Sequence, residues 1–248
     1  MPRSNRLCIA DIPLHVIQRG NNRSNCFVEA KDYQYYLKLV GQYGKRFEVD
    51  IHAYVLMTNH VHLLLTPRKN GAVSLFMQAI GRKYVRYFNK KYERTGTLWE
   101  GRFKSCIIET GLYFLTVSRY IELNPVRAFM VENPGDFMWS SFAVNALGQK
   151  SDFIEFHSCY LAIANSDAKR QQLYLALFAD ELSDHVLEKL RDSINRATVY
   201  GSDSYKRQLK DELKIKISVN CHGGDRRSHR FNQSDPLKKG EGPDSPFK

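Results

Sequence analysis

Two histidines separated by one apolar residue are the part of the chain best suited to metal chemistry. His60 and His62 flank Val61 within an apolar, β-branched run that predicts a strand. Because side chains alternate between the two faces of a strand, both imidazoles would point the same way, with Cα atoms roughly 6.5 Å apart. This spacing lets two imidazoles bind one metal ion, although histidines satisfied by hydrogen bonds or solvent would give the same pattern.

A tyrosine and an asparagine four residues apart form the second candidate. Tyr120 and Asn124 would stand on one face of a predicted helix, so that a phenol and an amide oxygen address the same point. Pro125 disfavours helical dihedral angles at the residue before it, which places Asn124 in the last turn. The alternative is an ordinary core helix, with Tyr120 packed inside and Asn124 at the helix end.

These residues need a scaffold of strands and helices to bring them together. Hydrophobic patterning predicts strands at 14–18, 49–56 and 60–66, with the last two forming a hairpin, and a short strand ending near residue 108. Helices are predicted at 31–46, 73–92 and 112–123, the last one stopped by Pro125. The fold class is therefore α+β, with an antiparallel sheet and helices on one face.

The β pattern fades after about residue 148. Helices are predicted at 152–164, 168–179, 184–196 and 202–214, and the last two could form a helix-turn-helix or simply pack for stability. From Cys221 the chain is rich in Gly, Ser, Pro and charge, which is typical of disorder. We predict a catalytic domain at 1–148, a helical C-terminal domain at 149–220 and a disordered basic tail at 221–248.

A net charge of +11 over 248 residues favours a polyanionic partner, with nucleic acid ahead of a membrane surface. Between Arg82 and Lys104, eight basic residues stand against two acidic ones. The turn after the first strand is a second candidate for binding DNA. From these two segments we expect DNA contacts by Arg19, Asn21, Asn22, Arg23, Arg82, Lys83, Arg86 and Lys90.

Five scattered cysteines without a C-x-x-C pair indicate neither a disulfide framework nor a zinc knuckle, which fits a reducing cytoplasm. No stretch approaches 18 apolar residues, and the N-terminal residues lack a signal-peptide core. We therefore expect a soluble cytoplasmic protein. Whether it is a monomer or a homodimer stays open.

Four motifs in a fixed order carry a family resemblance that covers about residues 14–139. The four motifs are His15-Val16-Ile17-Gln18-Arg19-Gly20-Asn21, Met57-Thr58-Asn59-His60-Val61-His62-Leu63, Gly96-Thr97-Leu98-Trp99-Glu100-Gly101-Arg102-Phe103-Lys104-Ser105 and Tyr120-Ile121-Glu122-Leu123-Asn124-Pro125-Val126. With these motifs the sequence resembles the REP-associated tyrosine transposases, which belong to the single-tyrosine HUH transposases. A stretch from 179 to 228, ending Gly223-Gly224-Asp225-Arg226-Arg227-Ser228, is similar to an extension found in many of these relatives.

The resemblance implies a ferredoxin-like HUH catalytic domain and a role for each motif. His60 and His62 would be metal ligands, Asn124 the third ligand where many members have glutamine, and Tyr120 the nucleophile. Trp99, Arg102 and Lys104 would contact the DNA strand near the cut. The metal would be Mg²⁺ or Mn²⁺. Zinc would be the rival if His15 or His52 joined the pair.

The implied function is that of a metal-dependent single-stranded DNA endonuclease and strand transferase. It would cleave next to hairpin, REP-like DNA through a 5'-phosphotyrosine intermediate. The alternative is a catalytically weak or inactive hairpin-DNA-binding regulator with the same fold, which the Asn124-Pro125 pair could support. A hydrolase that activates water ranks lower, because no carboxylate stands at ligand spacing beside His60 and His62.

Overall fold

The computed structural model describes residues 7–213. The predicted tail at 221–248 and the motif at 223–228 lie outside the described residues. The strands are β1 (Leu14–Arg19), β2 (Val49–Met57), β3 (His60–Pro67), β4 (Lys104–Ile108) and β5 (Val199–Tyr200). The helices are α1 (Ala30–Phe47), α2 (Ala72–Lys91), α3 (Leu112–Glu122), α4 (Asn124–Arg127), α5 (Phe142–Asn145), α6 (Ser158–Leu161), α7 (Asp167–Ala176), α8 (Asp184–Arg196) and α9 (Asp203–Leu213).

One five-stranded sheet, in the order β2-β3-β1-β4-β5, organises the described chain. Strands β1 to β4 pair antiparallel, and β2 and β3 form the predicted hairpin. In the register of β1 and β3, Arg19 lies opposite His60 and Ile17 lies opposite His62. The predicted α+β class is confirmed, with the addition that β5 pairs parallel to β4.

Helices cover both faces of this sheet, which corrects the expectation of one covered face. Val16, Leu63 and Leu65 point toward α1 and α2, and we call this side the aromatic face. Leu64 and Cys106 point the other way, toward α3 and α8; since His15, His60 and His62 share this side, we call it the histidine face. The uninterrupted run of apolar residues at 63–65 belongs to a strand that is buried on both sides.

A buried carboxylate joins α1 to α2 on the aromatic face. Asp32 accepts hydrogen bonds from the Val28 and Glu29 amides at 2.9 and 3.1 Å. From α2 and the residue that follows it, Lys91 Nζ donates to Asp32 at 2.6 Å and Tyr92 Oη donates at 2.7 Å. Packing alone therefore does not set the spacing of the two helices, because a charged hydrogen-bond cluster links them.

The chain after residue 148 departs from the prediction of helices alone. The helix predicted at 152–164 shrinks to the four residues of α6, and the strand β5 separates α8 from α9, so these helices do not form a helix-turn-helix. Leu187, Leu190 and Ile194 of α8 lie in the same hydrophobic cluster as residues of α3 and β2. The predicted helical unit thus shares its core with the sheet over this segment.

Backbone contacts from later segments also reach the other edge of the sheet. Val55 bridges Ser140 in an antiparallel sense, and Ile51 bridges Ile154 in a parallel sense. Nowhere between residues 7 and 213 is there a helix with the length and apolar character needed to cross a membrane.

Candidate active site

Strands β1 and β3 bring three histidines together on the histidine face. The imidazoles of His60 and His62 lie with ring centroids 5.0 Å apart, on one side of β3 as their alternation predicts. His15, from β1, stacks on His62 at 5.1 Å. His15 and His62 are buried, whereas His60 is partly exposed. The His60–His62 pair therefore lies at the edge of the core, with His60 nearer to solvent.

Helix α3 places the Tyr120 ring against these histidines. The ring stands edge-on to His62 and to His15, with centroids 5.9 Å away in both cases. Burial of Phe114, Val117 and Ile121 on the same helix fixes the rotation of α3 against the sheet. The structure thus brings the candidate nucleophile and the candidate metal ligands into one place.

Asn124 stands at the start of α4, and its side chain is bonded to the preceding helix α3. Leu123 keeps right-handed helical dihedrals, with φ −83° and ψ −2°, and α4 follows at once. Helix α3 ends at Glu122, as the prediction of a stop before Pro125 requires, and Pro125 itself lies in the first turn of α4, where a missing N–H costs little. Asn124 Nδ2 donates to the Tyr120 carbonyl at 3.3 Å. Over the described residues, no hydrogen bond joins Asn124 to His60 or His62.

The direction of that bond decides which end of the Asn124 amide is available. A carbonyl oxygen can only accept, so the amide nitrogen must face Tyr120 and the Oδ1 atom points away. An amide oxygen left in this way is the kind of donor that Mg²⁺ and Mn²⁺ prefer. Asn124 thus offers an oxygen just after the C-terminal end of α3.

Arg127 is a functional candidate that the sequence reasoning missed. Its guanidinium lies 4.2 Å from the centroid of the Tyr120 ring, and its Nη2 donates to the Tyr120 carbonyl at 2.9 Å. The Nη1 atom is buried without a hydrogen-bond partner, and burial lowers the pKa of this arginine. Its position seven residues after Tyr120, two helical turns along, was the available signal.

Burial keeps the three histidines neutral near pH 7. Burial, with a smaller contribution from the Arg19 charge, lowers the pKa of His60 to about 4. Burial and then the Arg127 charge lower the pKa of His15 to about 3. Burial also holds the pKa of His62 well below its usual range. Neutral imidazole is the form that binds a metal ion.

Each histidine of the pair has its Nδ1 atom engaged. His60 Nδ1 lies 2.6 Å from Asn59 Oδ1, and His62 Nδ1 lies 2.8 Å from His15 Nε2. The Nε2 atoms are thus the nitrogens left for a metal, in the arrangement common among metal-binding histidines. The residues present therefore fit a site of two imidazoles completed by oxygen atoms.

Neither rival histidine completes a zinc site. His52 has both ring nitrogens engaged, with the Glu155 carbonyl at 2.6 Å and Thr66 Oγ1 at 2.8 Å. His15 uses its Nε2 atom on His62. Within residues 7–213, no group of three His, Cys, Asp or Glu side chains is arranged to hold a metal. The zinc alternative is not supported.

Part of the predicted DNA-contact set lies around this site. Arg19 is exposed and pairs with His60 across the sheet, while Arg102 and Lys104 are exposed on the following segment. That segment is tied to the end of β1, because the Glu100 amide donates to the Arg19 carbonyl at 2.8 Å. In the adjoining turn, Asn22 and Arg23 are exposed and Asn21 is partly buried.

Two parts of the predicted DNA-contact set lie away from the histidines. Trp99 is only 6% exposed and stacks near Tyr84 in the core of the aromatic face, so it cannot meet DNA in this structure. The basic helix α2 lies on the aromatic face, opposite to the histidines. Its exposed basic side chains are not brought together with the catalytic candidates; they are Arg82, Lys83, Arg86 and Lys90.

Comparison with known proteins finds similarity to transposases. A family model described as "Transposase IS200 like" matches residues 8–124. A solved structure of a REP-associated tyrosine transposase bound to a REP hairpin is 20% identical, with a TM-score of 0.51 over 63% of this chain and 93% of that one. A putative transposase from Deinococcus radiodurans R1 is 17% identical, with a TM-score of 0.34 over 49% of this chain and 96% of that one.

No curated protein matches the chain. At 20% identity the solved REP-associated transposase shows a shared fold, and the family model matches slightly less than half of the chain. The matched residues contain β1 to β4 and α1 to α3, with His60, His62, Tyr120 and Asn124 among them. Over residues 8–124, the chain is therefore similar to the IS200-like transposases.

Proposed function

We propose that this protein is a metal-dependent DNA strand transferase that cleaves single-stranded DNA next to a hairpin, using Tyr120 as nucleophile. The observation that carries the proposal is the contact of the Tyr120 ring with His62, beside a second histidine, His60, whose Nε2 atom has no hydrogen bond to any residue between 7 and 213. The bound REP hairpin of the structurally similar transposase supports hairpin DNA as the partner.

Attack by the Tyr120 oxygen on a phosphodiester would form a P–O bond to the tyrosine and break the bond to the 3' oxygen. The tyrosine gives up its proton, and the departing 3' oxygen takes one up, so the products are a 5'-phosphotyrosine and a free 3'-hydroxyl. Attack by a 3'-hydroxyl on that phosphotyrosine reverses the step and rejoins DNA without ATP. Cleavage and joining therefore share one site.

A divalent cation, Mg²⁺ or Mn²⁺, when bound, supplies Lewis-acid neutralisation of the phosphate charge. His60, His62 and the Asn124 oxygen are the residues that would hold it. Arg127 lies over the Tyr120 ring and holds the carbonyl behind it, which fixes the direction of the phenol. Arg19, beside His60, is placed to contact a backbone phosphate at the entrance.

The test is formation of a covalent adduct. Labelled single-stranded hairpins from the host genome are incubated with the protein and Mn²⁺, and adducts are separated on a denaturing gel. We expect an adduct with the wild type, none with Tyr120→Phe and a normal amount with Tyr113→Phe. Tyr113 is the matched control, because it lies on the same helix with its ring against Tyr200. An adduct that persists in Tyr120→Phe contradicts the nucleophile assignment.

One observation favours the second candidate, a hairpin-binding regulator without turnover. The Asn124 amide is bonded to the Tyr120 carbonyl, and the third ligand is not turned into contact with the histidines. This candidate predicts that hairpin binding is unchanged by EDTA and that no adduct forms in Mn²⁺. Adduct formation by the wild type would exclude it.

A further inference from the structure

We propose that Asn59 is a positioning residue that fixes which nitrogen of His60 faces the metal and links that choice to the segment 20–24, which we call the β1 loop. The inference rests on the proposed function, since it assigns a role beside the proposed metal ligands. Asn59 lies in the turn of the β2–β3 hairpin, directly before His60.

The orientation of the Asn59 side chain follows from its partner in the β1 loop. Asn59 Nδ2 donates to the Arg23 carbonyl at 3.1 Å. A backbone carbonyl has no proton to give, so the atom facing it must be the amide nitrogen. The other end of the amide, which lies 2.6 Å from His60 Nδ1, must be the oxygen. The Arg23 carbonyl thus determines which end of the Asn59 amide is the nitrogen and which is the oxygen.

The amide oxygen in turn determines the state of His60. Oxygen Oδ1 can only accept, so His60 Nδ1 must carry the proton in the 2.6 Å bond. A neutral imidazole with a proton on Nδ1 has its lone pair on Nε2. His60 is thus set to bind a metal through Nε2 before any metal arrives. His62 differs, since its partner His15 can either donate or accept.

The β1 loop that supplies the carbonyl is tightly built. Asn22 and Arg23 both have positive φ angles, 49° and 57°. The Gly20 amide donates to the Asn59 carbonyl at 2.8 Å, so a backbone hydrogen bond also holds Asn59 to the loop. A Cβ at Gly20 would lie 2.1 Å from the Ser24 carbonyl oxygen, which leaves no room for another residue.

The same loop carries side chains proposed to meet DNA. Asn22 and Arg23 are exposed, and Arg19 precedes the loop beside His60. A strand of DNA that moves the loop would move the Arg23 carbonyl, the Asn59 amide and the His60 ring in sequence. Binding at the loop and metal binding at His60 are therefore linked, and such linkage acts equally in both directions.

The direct test measures Mn²⁺ affinity without DNA, by electron paramagnetic resonance of the free ion. We expect Asn59→Ala to weaken binding by about 10- to 100-fold, the usual effect of losing an outer partner of a metal-binding histidine. Asn59→Asp keeps an acceptor for His60 Nδ1 and should bind Mn²⁺ at least as well as the wild type. Asn25→Ala is the matched control, because Asn25 is exposed in the neighbouring turn, and it should change nothing.

A second measurement needs no variant. Long-range ¹H–¹⁵N correlation spectra of the metal-free wild type should show His60 with its proton on Nδ1. A proton on Nε2, or wild-type Mn²⁺ affinity in Asn59→Ala, would overturn the proposal. His60→Ala separates this failure from that of the proposed function. If the wild type and His60→Ala bind Mn²⁺ equally, the metal site itself is wrong.

The link to the loop is tested by Gly20→Ala, which touches no proposed ligand. Displacement of the loop by the added Cβ should weaken Mn²⁺ binding several-fold, and the His60 correlation should shift toward a mixture of both forms. Unchanged Mn²⁺ affinity in a folded Gly20→Ala protein would refute the coupling. Circular dichroism of each variant checks that it is folded.

Discussion

Two fully buried carboxylates, one on each face of the sheet, differ in their charge. Asp32 on the aromatic face accepts from Lys91, Tyr92 and two backbone amides, and these hydrogen bonds outweigh burial and lower its pKa to about 2. Glu122, at the end of the proposed nucleophile helix, accepts from Ser141, Asn145 and Tyr174. There burial outweighs the hydrogen bonds and raises the pKa to about 7.

The difference shows that the number of hydrogen bonds does not decide the charge of a buried carboxylate. Both groups have several donors, but only Asp32 has an ammonium group within 2.6 Å. A nearby cation offsets the free-energy cost of removing the carboxylate from water, whereas neutral hydroxyl and amide donors offset only part of that cost. Asp32 thus locks α1 to α2 as an ion, while Glu122 ties α3 to α5 and α7 near the edge of ionisation.

Loss of the Asp32 charge should have the largest effect on this contrast. In Asp32→Asn, Lys91 loses its buried counter-ion and keeps only the half-exposed Glu29 carboxylate. We expect the free energy of unfolding to fall by about 3 to 4 kcal/mol at pH 7. Urea denaturation measures it. Glu132→Gln, at an exposed carboxylate, should stay within about 0.5 kcal/mol of the wild type. A loss below about 1 kcal/mol for Asp32→Asn would mean that the ion pair is not what holds the helices.

The raised pKa of Glu122 should make the free energy of unfolding depend on pH. Between its unfolded pKa of 4.5 and its folded pKa of about 7, the folded state holds more protons than the unfolded state. Stability from this group therefore falls as pH rises through that window, by about 3 kcal/mol in total. Glu122→Gln removes this contribution.

The buried histidines act in the reverse direction, because their lowered pKa values make stability fall as pH drops below about 6.5. The informative quantity is thus the difference between Glu122→Gln and the wild type in urea unfolding at pH 5, 6, 7 and 8. We expect the variant to gain relative stability as pH rises. Parallel curves would contradict the raised pKa of Glu122.

Removal of the cation should make Asp32 resemble Glu122. In Lys91→Met the carboxylate keeps its neutral donors but loses the ammonium, and we expect a loss of about 2 kcal/mol at pH 7 and a smaller one at pH 4. Thermal unfolding at both pH values measures this. The neighbouring Lys90→Met, at an exposed side chain, is the control and should be neutral. An equal loss at both pH values would argue for packing of the Lys91 stem instead.

The smallest effect concerns one neutral donor of Glu122. Tyr174→Phe removes the hydroxyl that donates to Glu122 Oε2 at 2.8 Å, and we expect about 1 kcal/mol of destabilisation at pH 7. Urea unfolding compares it with Tyr113→Phe, whose hydroxyl has no hydrogen bond among the described residues. A loss as large as that in Asp32→Asn would show that neutral donors contribute as much as the cation.

The sequence predicted the local elements of the domain well. Alternation gave β1 and the β2–β3 hairpin, and helical periodicity gave α1 to α3, each within a few residues of its observed ends. The two-residue strand β5 is too short to show a hydrophobic period. Its pairing with β4 depends on residues that are distant in the sequence. The coverage of both faces also depends on packing that local patterns do not contain.

The candidate site likewise has features that the sequence predicts and features that it does not. The common direction of His60 and His62 follows from strand alternation alone, and Tyr120 follows from its place in the motif. The stacking of His15 on His62 requires the register of β1 against β3. The burial of Trp99 depends on the bridge between Trp99 and Gly20 at the end of β1. The Asn59 contacts were beyond prediction, because they depend on a loop with two positive φ angles.

Segments after residue 124 lie along both edges of the four-stranded antiparallel part of the sheet. Ser140 and Ile154 lie opposite residues of β2, and Val199 and Tyr200 lie opposite residues of β4, so both outermost long strands have partners. A fragment that ended at Asn124 would leave both strands with unpaired backbone groups, which act as templates for other chains. Such a fragment should aggregate on expression. The later segments would therefore shield the edges of the sheet, a role separate from any part in handling DNA.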